Sequence, residues 1–121
     1  LSFFSKDAFV HEVTHGPDGY DVSTTHTVTG YEVHAVGVPY TRVEHHVKRE
    51  HEEAIRARIM DELGVTDGNL TGCIMRTSSG DVTELRHAPT GVFVRGRVAR
   101  VEEKRALMER LVAKLWELRK V

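Results

Sequence analysis

The chain has 121 residues, 40% of them hydrophobic and 29% charged, with a formal net charge of −1. That length gives room for one domain with a real core, and the composition is that of a globular chain. The charge balance removes the usual electrostatic footprint of a nucleic-acid binder, and the single cysteine removes a disulfide framework and a cysteine-built metal cage.

No apolar run approaches the roughly 18 residues of a membrane-spanning helix, and the start lacks the apolar core of a secretory signal. A cytoplasmic protein is expected. "AFVHEVTHG" (8–16) reads as a strand ended by the turn residues Gly16, Pro17, Asp18 and Gly19. "YDVSTTHTV" (20–28) alternates with period two, so Tyr20, Val22, Thr24, His26 and Val28 share one face. "YEVHAVGV" (31–38) is a third strand, stopped by Pro39, which cannot donate to a ladder.

From Arg42 the period becomes helical: Val43, Val47, Ala54, Ile55, Ile59 and Leu63 form an apolar stripe, and Gly64 is a natural C-cap. The order then repeats. "LTGCIMRT", a turn at Ser78–Asp81, "VTELRHA", Pro89-Thr90-Gly91 and "VFVRGRV" precede a second helix striped by Val101, Leu107, Met108, Leu111, Val112, Leu115 and Leu118. "TTHTVTGYEVHAVGV" (24–38) and "LRHAPTGVFVRGRVA" (85–99) share a layout of a His, three residues, a Gly and a strand-like run, 61 positions apart. Carrying the match into the helices takes a gap of about four residues, and the shared order points to a tandem β-β-β-α duplication. Residues 1–121 are therefore expected to form one α+β domain with candidate repeats 8–64 and 70–121. Its mainly antiparallel sheet has about six strands, covered by two helices.

Eight histidines carry most of what can be said of function. Histidine is the side chain most easily moved across neutral pH and a common metal ligand. His11 and His15 share a strand face but stand about 13 Å apart, too far to clasp one ion. A hairpin symmetric about Gly30 sets His26 opposite His34. His51 falls between Val47 and Ile55 on the helical stripe, where burial keeps an imidazole neutral and able to act as a base. His46 and Glu50 sit one helical turn apart, with His45 or Glu53 nearby, but the same residues read as a solvated face. No metal and no cofactor are expected.

His26, His34 and His51 are thus the candidate catalytic residues, and Tyr31, Arg95 and Arg97 the candidate substrate-binding ones. Arg95 and Arg97 share a strand face and can receive an anion through charge-assisted hydrogen bonds. Cys73, beside Ile74, reads as a small buried hydrophobe. No Walker loop, dinucleotide-binding glycine pattern or nucleophile elbow occurs.

The expected function is a small enzyme or enzyme-like protein with a histidine-lined pocket, an isomerase or lyase moving a proton on a small polar or anionic substrate. The alternatives are a non-catalytic ligand-sensing or RNA/DNA-associated module, and a structural homo-oligomer. An outer apolar set of Val10, Val36 and Val38, with Tyr31 near it, suggests burial against a second subunit, at least a dimer. Nucleic acid is not the favoured partner, and no membrane is expected.

Overall fold

Alternating strands broken by tight turns produce two antiparallel sheets in the computed structural model, which describes residues 3–119. The first sheet orders β1 (Phe9–Gly16), β2 (Gly19–His26) and β3 (Glu32–Val38) as β1-β2-β3. The second orders β4 (Leu70–Thr77), β5 (Gly80–His87) and β6 (Phe93–Gly96) as β4-β5-β6. The α+β class is as expected, but the six strands form two sheets of three rather than one. Each ladder joins strands consecutive in sequence, so local hairpin closure is enough to build each sheet. The chain divides between Ile59 and Met60 into two compact units, each holding one sheet.

α1 (Tyr40–Arg42), a π-helical turn (Val43–Val47) and α2 (Lys48–Glu62) make one helical run, which belongs to the first unit up to Ile59. Its buried positions recur every fourth residue: Val43, Val47, His51, Ile55 and Ile59. Four-residue steps overrun an α-helical turn of 3.6, and the wider π turn takes up part of the excess. Val43 and Val47 thereby join Val22 and Val38 in one cluster, flanked by Tyr20 and Ala35. In the second unit, α3 (Val101–Arg119) buries Leu107, Leu111, Val112, Leu115 and Trp116, and Leu85 and Val94 of the sheet are buried too. Among the described residues no helix is long and apolar enough to cross a membrane.

Matching elements begin at Phe9 and Leu70, Gly19 and Gly80, Glu32 and Phe93, and Tyr40 and Val101, each pair 61 residues apart. The spacing of 61 holds through the helices, so the gap of about four residues taken by the sequence match has no counterpart in the element order. Val38, expected on an outer apolar face, is buried in the cluster with Val22. The outward face of the first sheet instead mixes the exposed Val10 and Val36 with Glu12, Thr14, Ser23, Glu32 and His34.

The hairpin turns at Gly19 and Gly80 differ in what surrounds them. A Cβ on Gly19 (φ +142°) meets the backbone of Gly37 and Val38 at 3.0 Å, whereas one on Gly80 (φ +119°) meets only the movable tip of Arg97 at 3.2 Å. Gly19→Ala is expected to cost about 3 kcal/mol and Gly80→Ala about 1–2 kcal/mol. Amide hydrogen exchange in β2 and in β5 checks this; equal loss of protection would show that strain at φ alone sets the cost.

Candidate functional site

Four polar side chains are buried among the described residues: Thr24, His26, His51 and His87. Burying a polar group without a partner is costly, so each must be accounted for. Two of them do the same work in the two units. His26 Nε2 lies 2.7 Å from the carbonyl of Phe3, and its Nδ1 lies 2.8 Å from Thr29 Oγ1. His87 Nε2 lies 2.9 Å from the carbonyl of Gly64, and its Nδ1 lies 2.8 Å from Thr90 Oγ1.

A carbonyl can only accept, so in each ring Nε2–H donates to it and Nδ1 accepts from the threonine hydroxyl. The threonine oxygen in turn accepts the backbone N–H of Tyr31 or Val92 at 3.3 Å. The carbonyls of His26 and His87 accept from Gly30 and Gly91, whose φ of +78° and +75° suits glycine. The shared His-x-x-Thr-Gly layout is therefore a loop lock. Both ring nitrogens are spent in it, which leaves His26 none to offer a substrate.

The loop lock also displaces the expected His26–His34 pair. The ladder sets Thr25 opposite Glu32 and Ser23 opposite His34, with His26 N–H donating to Tyr31 O. The hairpin is centred between Val28 and Thr29 rather than on Gly30, so His34 falls on the exposed outer face.

The other two buried groups belong to a polar chain of the first unit only. Glu52 Oε2 lies 2.7 Å from His11 Nε2, and His11 Nδ1 lies 2.7 Å from Thr24 Oγ1. Thr24 Oγ1 lies 3.1 Å from His51 Nδ1. Strand periodicity positions His11 opposite Thr24 on β1 and β2, and helical periodicity brings His51 and Glu52 over them from α2, just after the π turn. Side-chain exposure falls from 28% at Glu52 and 18% at His11 to none at Thr24. Burial lowers the pKa of His51; His11 and, less, His34 lower it further against the opposing pull of Glu50. His51 Nε2 has no hydrogen-bond partner among the described residues.

The 61-residue counterparts of Glu52, His11, Thr24 and His51 are Ala113, Gly72, Leu85 and Val112. Leu85 and Val112 are buried hydrophobic residues. The same local architecture is thus built without the polar chain. His51 lay within reach of sequence reasoning as a histidine on an apolar stripe. His11, Thr24 and Glu52 were missed, because the signal is a comparison between the halves: a polar residue in one where the other is apolar.

The remaining candidates lie elsewhere. Tyr31 stacks beneath the Arg58 guanidinium at 4.1 Å in the first unit. Arg95, in the second unit, is paired with Glu84 at 3.0 Å, and Arg97 lies one residue beyond the end of β6 rather than on a shared strand face. Glu50 is held by Arg42 at 3.0 Å. Among the described residues, no three His, Cys, Asp or Glu side chains are grouped to hold a metal ion. Cys73 is exposed, not buried: it lies on the edge strand β4 beside the exposed Ile74. No family model, no curated protein and no solved structure matches the chain.

The pKa values of His26 and His51 are both lowered from 6.5, chiefly by burial. The folded protein therefore binds fewer protons at these sites than the unfolded chain. Their contribution to stability is whole above 6.5 and is lost as pH falls through the lowered values. Thermal unfolding between pH 7.5 and pH 5 should show Tm falling with acidification, and a flatter slope in His51→Val. Replacing either lock histidine by alanine is expected to cost about 2–4 kcal/mol, through two lost hydrogen bonds and a cavity. Denaturant titration of His26→Ala and His87→Ala reads this directly; a loss in only one of them would break the equivalence.

Proposed function

We propose that the first unit is a proton-transfer site, in an isomerase or lyase acting on a small polar or anionic substrate, with His51 as the base. One observation carries the reading: the continuous chain Glu52–His11–Thr24–His51, present where the matching unit has Ala113, Gly72, Leu85 and Val112.

Donor and acceptor chemistry orients the resting chain. His11 Nε2–H donates to the Glu52 carboxylate, the Thr24 hydroxyl donates to His11 Nδ1, and His51 Nδ1–H donates to Thr24 Oγ1. His51 Nε2 is then a bare lone pair. When it takes a proton from a substrate carbon, His51 Nδ1–H passes to Thr24, and the threonine proton passes to His11 Nδ1. The positive charge comes to rest on His11, 2.7 Å from the Glu52 carboxylate, rather than on the buried His51. The return of the proton to a neighbouring atom, or the departure of a leaving group, completes an isomerase or lyase cycle.

Tandem duplication of one β-β-β-α unit accounts for the 61-residue spacing and for the repeated loop lock. On this reading the polar chain is an addition to one copy. A cytoplasmic setting fits as well, since Cys73 is a free thiol. A homo-oligomer is a separate proposal resting on the exposed Val10 and Val36, and sedimentation as a monomer alone rejects it.

The test is exchange of carbon-bound protons in D2O, followed by proton NMR over a panel of small 2-oxo acids. Wild type is expected to wash out an α-proton of at least one, and His51→Ala and Thr24→Val to slow it about 100-fold or more. Thr24→Leu combined with His51→Val, which copies the second unit, should abolish exchange while leaving Tm unchanged or raised. No exchange by wild type across the panel sinks the proposal. A collapse of the fold in the double variant would make the chain structural instead.

A further inference from the structure

Phe93 of β6 stands among three cations of the second unit. The Arg86 and Arg95 guanidinium carbons lie 4.8 Å from its ring centroid, and Lys114 Nζ lies 5.3 Å from it. From α3, Arg110 donates to the carbonyl of Arg95 at 3.1 Å and Lys114 to the carbonyl of Phe93 at 3.0 Å. Those bonds pin the two side chains along the edge strand and leave other N–H groups of each available. Between them lies a cleft of about 460 Å³ lined by Phe93, Val94, Arg95, Arg110, Ala113 and Lys114.

The charge is barely offset. Glu84 takes Arg95 through one carboxylate oxygen at 3.0 Å and Arg86 through the other at 3.3 Å. Arg110 and Lys114 face no carboxylate within ion-pair distance among the described residues. Four cations against one anion leave an excess of three positive charges here, in a chain whose net charge is −1. Such a concentration of like charge costs free energy unless an anion answers it. The matching positions of the first unit hold Thr25, Glu32, His34, Arg49 and Glu53, so a β-β-β-α unit of this kind does not need the basic cluster.

We propose that this cleft binds a small anion, a phosphate monoester or a carboxylate, carrying an apolar group. The cations of Arg110 and Lys114 would take the anionic end by charge-assisted hydrogen bonds, and the cleft-lining Val94, Ala113 and Phe93 would take the apolar part. The cations stacked over Phe93 leave its faces unsuited to a nucleobase, which favours a small anion over single-stranded nucleic acid.

Isothermal titration with phenyl phosphate, inorganic phosphate and a single-stranded oligonucleotide tests the proposal, with folding of each variant confirmed by circular dichroism. Phenyl phosphate is expected to saturate one site per chain and to bind several-fold tighter than inorganic phosphate. The double variant Arg110→Gln, Lys114→Gln should weaken it at least tenfold. Glu84→Gln, which releases Arg86 and Arg95 from their counter-ion, should tighten it several-fold, an outcome that general damage to the fold does not produce. Absence of saturable phenyl phosphate binding, or equal affinity in the double variant, overturns the site. Equal affinity for the two phosphates overturns the apolar part, and binding of the oligonucleotide alone overturns the small-anion assignment.

Discussion

Each unit hangs on a buried imidazole that ties the end of its central strand to the chain just before its first strand. His26 reaches the carbonyl of Phe3, and His87 reaches that of Gly64. A neutral histidine suits this task because it offers one donor and one acceptor at opposite sides of a rigid ring. The donor closes on a backbone carbonyl, that of Phe3 or of Gly64, and the acceptor fixes the threonine rotamer that supports the next turn. The packing of Phe3 and Phe9 around His26 seals this lock from water. The same removal of water lowers its pKa and holds it in the form the lock requires.

Given that scaffold, the two units spend their remaining freedom differently. In the first, the inner face carries Thr24 and His51 where the second carries Leu85 and Val112. Apolar residues there pack without the desolvation that an imidazole and a hydroxyl must offset by hydrogen bonds. A polar chain kept at such a cost, and satisfied link by link from Glu52 to Thr24, is where function is best sought. In the second unit the departure is on the surface instead, where cations gather over one aromatic ring. The edge strand β6 gains from this directly, since two of its outward carbonyls are covered by side chains of α3.

Hairpins and helices were legible from sequence because their signals are local. Period-two alternation, the Pro17-Asp18 and Ser78-Ser79 turns, and the four-residue apolar stripe each act within a few residues. The 61-residue echo was legible for the same reason: a His, a Thr and a Gly at fixed short spacing recur wherever that loop is built. Placing His51 inside required only the stripe, and it is buried.

Tertiary structure decided the rest. Whether His26 faced His34 depended on a register set by Thr29 and Gly30 inside the loop, and a shift of that centre reassigns the cross-strand partners. Whether six strands made one sheet or two depended on pairing beyond the hairpins, for which alternation carries no information. Glu52 and His11 are 41 residues apart and read separately as a helix-surface acid and a strand histidine; only the packing of α2 over β1 and β2 makes them neighbours. By itself the sequence determined the elements and their repeat, because those follow from contacts near in the chain. Which polar groups meet, and so what chemistry they can do, was left to contacts between residues far apart in it.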